Sequence, residues 1–80
     1  MNPRVKAVKA LDDYQLELEF DNGESGIFSV KPYLKYPVYR PLEDTSLFSQ
    51  AKIVFGTVAW NTDIDMSPDN LYLECKMFAK

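Results

Sequence analysis

The residues with the most chemical potential lie in one acidic stretch. Positions 61–74 hold Asp63, Asp65, Asp69 and Glu74 with no basic residue among them. Asp63, Asp65, Ser67 and Asp69, with Glu74 at the twelfth place, follow the ligand spacing of an EF-hand calcium loop. The sixth place of such a loop needs a glycine for its sharp turn. Here Pro68 holds φ near about −65°, so calcium binding of that type is not expected. A looser divalent site at Asp63 and Asp65 is the remaining metal reading. The structural reading has Ser67 and the nearby aspartates satisfying the free N–H groups at the start of a helix. Two neighbouring carboxylates also serve as acid and base in glycoside hydrolysis. Nothing in the flanking sequence desolvates Asp63 or Asp65, however, and so short a chain has little room for an enclosed cleft.

Nucleophilic chemistry has even less to work with. The chain contains no histidine and a single cysteine, Cys75. Histidine-based triads and histidine metal sites are therefore excluded, as are an intrachain disulfide and a multi-cysteine zinc or iron–sulfur centre. Cys75 shares helical spacing with Leu71 and Phe78, which reads as a buried structural thiol. The chain is expected not to be an enzyme, with no catalytic residue, no bound metal and no cofactor.

A third constellation interleaves Tyr33, Tyr36 and Tyr39 with Lys31, Lys35 and Arg40. Such a mixture stacks on bases or anchors a protein partner. Tyrosines wedged between prolines also cover the edge of a small core. The candidate interaction surface combines both regions: Tyr33, Tyr36, Tyr39, Asp63, Asp65 and Asp69.

The elements that must position these residues form one domain over residues 1–80. Eighty residues with 46 % hydrophobic and 26 % charged side chains have globular proportions. Area scaling gives a folded surface of about 4,900 Å². Residues 13–20 alternate Tyr14, Leu16, Leu18 and Phe20 with polar side chains, the period of a half-buried strand. Residues 4–10 form a weaker strand, because Val5 and Val8 fall on opposite faces unless a bulge intervenes. Asp21, Asn22 and Gly23 make a hairpin loop. A three-residue loop with Gly23 left-handed pairs Leu16 with Phe28 and Tyr14 with Val30, which buries far more apolar area than a two-residue turn.

Pro32, Pro37 and Pro41 then break regular structure, leaving room for a single turn near residues 32–35. Asp44 caps a helix of about two turns with Leu47, Phe48 and Ala51 inward. Residues 52–55 and 57–60 are short strands joined around Gly56. Ser67 and Pro68 open a terminal helix whose buried face is Leu71, Cys75 and Phe78, with Lys76 and Lys80 near its end. The fold class is α+β: a small antiparallel sheet in β-β-β-α-β-β-α order packed against two short helices.

The order of motifs resembles a known family. Pro3-Arg4-Val5, Asp13-Tyr14-x-Leu16, Phe20-Asp21-Asn22-Gly23-Glu24, Phe28 and Pro32-Tyr33-Leu34 come first. Pro41-Leu42, Phe48, Val58-Ala59-Trp60 and Pro68-Asp69-x-Leu71-Tyr72 follow. Together they resemble the small bacterial domain of unknown function 2442, nearly end to end. The chain departs from that pattern in residues 61–65, which lack the usual glycine. The resemblance implies an α+β fold and no known catalytic residues. Some members carry a helix-turn-helix domain, and others look like antitoxin-like partners of a small neighbouring protein.

Charge refines the expected partner. The net charge is -3, and the whole acidic excess lies in residues 41–80. An acidic surface repels phosphate and anionic membranes. The expected role is a cytoplasmic protein-binding or regulatory module, monomer or homodimer, whose partner is another small protein, a basic one on the charge argument. Autonomous nucleic-acid binding is not expected. A nucleic-acid-associated regulator using Lys6, Lys9, Lys31, Lys35 and Arg40 is the alternative, followed by a carboxylate metal protein or enzyme.

Overall fold

A computed structural model of the chain describes residues 2–60 and 64–78. The first three strands are β1 (Val5–Leu11), β2 (Gln15–Phe20) and β3 (Ser25–Ser29). All pair antiparallel, and β2 lies between β1 and β3. The alternation in β2 works as expected: Leu16, Leu18 and Phe20 are fully buried, while Gln15, Glu17 and Glu19 face outward. Strand β1 carries the expected bulge. Its register shifts between Val5 and Ala7, so Val5 opposes Phe20 and Val8 opposes Leu18 on the same core face.

Both hairpin connections depend on left-handed backbone. Gly23 has φ 90°, and Leu16 pairs with Phe28 as the three-residue loop requires. The Val30 N–H also donates to the Tyr14 carbonyl at 2.8 Å. The β1–β2 turn shortens β2 relative to expectation. Asp13 and Tyr14 adopt φ of 60° and 58°, so the strand starts at Gln15 and not at position 13. Tyr14 offsets its strained backbone by packing. Its ring meets Phe48 edge-on at 5.4 Å, and its hydroxyl donates to the Glu43 carbonyl at 2.5 Å.

The proline-rich segment forms two short 3-10 turns, Lys31–Tyr33 and Arg40–Glu43. Asp44 then caps α1 (Thr45–Phe48), its side chain accepting from the Ser46 N–H at 2.9 Å. This helix is one turn long and not two. Beyond it the Gln50 and Ala51 N–H groups bond three residues back, the tighter 3-10 pattern. A second sheet holds β4 (Lys52–Val54) and β5 (Thr57–Ala59), turning through Phe55 and Gly56. The sheets are thus two, where one was expected. They meet where the Val5 N–H donates to the Gly56 carbonyl at 2.9 Å.

The C-terminal end departs most from expectation. Helix α2 (Pro68–Glu74) starts at Ser67 and Pro68, but the Ser67 side chain makes no capping bond. It also stops at Glu74. Cys75 is extended, and β6 (Lys76–Met77) pairs with Gly26 and Ile27 at the free edge of β3. Covering that edge satisfies backbone groups that a longer helix would leave unpaired. Consequently Lys76 lies in a strand, Cys75 is half-buried and Phe78 is exposed. Lys80 lies outside the described residues.

The core fills the space under the four-stranded sheet: Phe20, Phe28, Leu42, Phe48, Val58, Trp60, Ile64, Met66 and Leu71 are buried there. The accessible surface of the whole chain, 5085 Å², is close to the sequence-based value. No helix among the described residues is long and apolar enough to cross a membrane.

Candidate functional site

Proline fixes where the tyrosines go. Pro32 starts one 3-10 turn and Pro41 sits in the other, so Tyr33, Tyr36 and Tyr39 fall on consecutive tight turns. The Tyr36 N–H donates to the Tyr33 carbonyl and the Tyr39 N–H to the Tyr36 carbonyl, each at 3.0 Å. The three rings gather around Tyr33, which stacks on buried Phe28 at 5.6 Å. Tyr39 meets Tyr33 edge-on at 5.9 Å, and Tyr36 lies at 6.3 Å. Tyr33 and Tyr39 are half-buried and cover the core edge. Tyr36 remains 47 % exposed, with the Lys35 ammonium 5.3 Å from its ring centre.

The acidic stretch is partly drawn into this cluster. The Tyr39 hydroxyl donates to the Asp65 carbonyl at 3.2 Å. Burial, and then the charge of Asp65, raise the Tyr39 pKa. Asn70 donates from Nδ2 to the Tyr33 hydroxyl at 3.1 Å, tying the start of α2 to the same rings. Asp69 is adjacent in the helix, but its carboxylate turns to Asn2 at 3.4 Å. Asp63 lies outside the described residues. Four candidates therefore meet, Tyr33, Tyr36, Tyr39 and Asp65, with Asp69 at the margin. Among the described residues no three Asp, Glu or Cys side chains converge as metal ligands do.

A depression of about 350 Å³ opens beside the rings, lined by Ser29, Pro32, Tyr33, Lys35, Tyr36 and Glu74. Its walls mix aromatic rings and a proline with the polar side chains of Ser29, Lys35 and Glu74, a composition found at protein interfaces. Glu74 joins it because α2 ends there, and only the fold puts that residue next to Tyr36. A hollow of similar size on the outer face of β1 and β2 is walled by strand side chains such as Lys9, Glu17 and Glu19. There Lys6 pairs with Glu19 at 3.6 Å.

The remaining reactive group is quenched. Burial, reinforced by the Glu24 charge, pushes the Cys75 thiol up to about 11. Glu24 is held by the Tyr72 hydroxyl at 2.6 Å and Asn22 Nδ2 at 2.5 Å, and the first of these bonds raises the Tyr72 pKa. A thiol with such a pKa is almost wholly protonated near neutrality and is a poor nucleophile.

Three of the basic residues noted in the sequence face carboxylates or acidic strand neighbours. Lys31 pairs with Asp13 at 3.0 Å and Lys6 with Glu19, while Lys9 stands opposite Glu17 across β1 and β2.

The model of a family described as protein of unknown function (DUF2442) matches residues 5–77. No curated protein and no solved structure matches the chain.

Proposed function

The chain belongs to the DUF2442 family of proteins of unknown function, and we propose that this domain is a non-catalytic protein-binding module. The observation that carries the reading is the tyrosine-walled depression. Its Tyr33 wall is fixed by Phe28 and Asn70, while Tyr36 beside it stands 47 % exposed. A rigid, half-exposed aromatic gives contact area at small entropic cost, which is what protein interfaces enrich. The acidic excess of residues 41–80 favours a small basic protein as partner, in an antitoxin-like pairing within the cytoplasm.

Nucleic-acid recognition is the weaker reading. Lys6 and Lys31 already have carboxylate partners, which leaves them less free to track phosphates. The raised Cys75 pKa and the absence of histidine weigh against an enzyme.

Affinity capture of the tagged protein from its native lysate, with wild type and Tyr36→Ala in parallel, tests the proposal. The expected result is one stoichiometric basic protein at low salt, lost at high salt and depleted with Tyr36→Ala. Tyr36 is 47 % exposed and lies outside the buried core, so the variant is expected to keep the fold. Capture of nothing, or equal capture by both, overturns the reading.

A further inference from the structure

Among the described residues, three other than glycine hold positive φ: Asp13, Tyr14 and Phe55. Aspartate tolerates that region, and Tyr14 offsets it by packing on Phe48. Phe55 does neither. It sits at φ 50° in the β4–β5 turn with its side chain 95 % exposed. A bulky residue in the left-handed region that buries nothing in its own chain is costly in both respects. Asparagine before Gly56 would make a more stable turn.

The tip is nevertheless held firmly. The Val5 N–H bonds the Gly56 carbonyl, and Arg4 donates from Nη1 to the Phe55 carbonyl at 3.3 Å. The Arg4 side chain lies so close that a Cβ on Gly56 would come within 2.6 Å of it. The hairpin therefore presents an aromatic ring with a guanidinium beside it.

The tyrosine depression offers a complement: the rings of Tyr33 and Tyr36 and Pro32 for the aromatic, and acidic Glu74 in the same lining for the guanidinium. Lys35 also lines it, but its ammonium lies near the Tyr36 ring. Glu74 is an acid in the last turn of α2, where the helix dipole favours a cation. Phe55 cannot fill its own depression. The tip bonds to Val5, opposite Phe20, whereas Ser29 of the depression lies opposite Gln15 at the other end of β2. Five residues of strand separate those ends, about 17 Å.

We infer that the Phe55 tip of one copy seats in the tyrosine depression of a second copy, with Arg4 against the second copy's Glu74. A two-fold pair in which each tip enters the other copy's depression makes the contact twice, and that closed pair is the inferred assembly. Two such tips bury less than the about 1,200 Å² at the low end of stable interfaces, so the dimer is weak, with a dissociation constant of about 0.1–1 mM. The inference rests on reading the depression as a protein-binding surface and names its first occupant.

Sedimentation equilibrium of the purified chain between about 10 µM and 1 mM tests it, a range that brackets such a constant. The expected result is a mass that climbs towards the dimer. Phe55→Asn should weaken association at least about tenfold, as loss of a central aromatic does, while raising the melting temperature. That opposite movement separates lost contact from lost fold. Glu74→Arg should also weaken it. A monomer at every concentration, or either Phe55→Asn or Glu74→Arg associating like wild type, overturns the inference. A strict monomer whose Tyr36→Ala form still loses the captured protein leaves the binding-module reading standing and removes only the second copy.

Discussion

Replacing Gly26 with alanine should detach the C-terminal strand. A Cβ at position 26 would lie 2.3 Å from the Lys76 carbonyl oxygen, 2.7 Å from the Met77 Cα and 2.8 Å from the Lys76 carbonyl carbon. All three are backbone atoms, so no side chain can swing aside, and β6 must move off β3. The pairings of Gly26 with Met77 and Ile27 with Lys76 go with it, as does the 2.9 Å bond from the Phe78 N–H to the Ser25 carbonyl. Each lost bond costs about 1 kcal/mol net, and partial exposure of Met77 and Cys75 adds about 1 kcal/mol more. Partial relaxation brings the expected loss to about 2–4 kcal/mol, or a melting temperature lower by about 10–20 °C.

The same movement exposes a chemical reporter. Cys75 leaves its half-buried place near Glu24, and its pKa should fall from about 11 towards the ordinary 9.0. That is about a hundredfold more thiolate at neutral pH. Iodoacetamide alkylation at pH 8, followed by mass spectrometry, should therefore accelerate sharply alongside the drop in melting temperature. Gly23→Ala is the control. It has open space around it but φ 90°, so it should cost about 1 kcal/mol of strain and leave alkylation slow. A Gly26→Ala protein with wild-type melting and wild-type alkylation would refute the reasoning.

Other perturbations have equally defined outcomes. Trp60→Phe removes the buried donor at 2.9 Å from the Phe48 carbonyl, and chemical denaturation should report a loss of about 1–3 kcal/mol. Asp44→Ala removes the cap on Ser46 N–H and should cost about 1 kcal/mol in the same assay. Cys75, Tyr39 and Tyr72 all have raised pKa values, so folding favours their neutral forms. The Cys75 contribution is complete below pH 9 and lost as pH rises through about 11, while those of Tyr39 and Tyr72 are complete below pH 10 and lost above it. Cys75→Ala should flatten that alkaline decline by up to about 2 kcal/mol, read from denaturation midpoints between these pH values.

Local chemistry explains which parts of the fold were legible. Asn22 and Gly23 dictate a left-handed loop position, and burial of Phe28 then selects one register of β2 against β3. Val5 and Val8 could share a core face only through a bulge, and the bulge is there. The end of α2 was illegible because Leu71, Cys75 and Phe78 match helical spacing while a two-residue strand has no periodicity of its own. Its one trace was Gly26 inside β3, since a strand glycine marks a close backbone approach. Ser67 occupies the N-cap position without using its hydroxyl, which residue type alone does not reveal.

The candidate site was half legible for the same reason. Prolines made Tyr33, Tyr36 and Tyr39 conspicuous as a cluster, and Lys35 stood among them. Glu74 and Asn70 reach the rings only through the placement of α2, a long-range contact that leaves no local pattern. Phe55 was hidden by its ordinary surroundings, because an apolar residue before a turn glycine reads as the end of a buried strand. Its backbone angle and exposure mark it out only in the folded chain.

The central claim is that the tyrosine depression is where a protein partner binds. Its most direct test is to titrate isotope-labelled protein with the captured partner and map the backbone amide shifts by NMR. The account predicts the largest changes at Ser29, Tyr33, Lys35, Tyr36 and Glu74. Shifts confined to the outer face of β1 and β2, with these five amides unmoved, would contradict it.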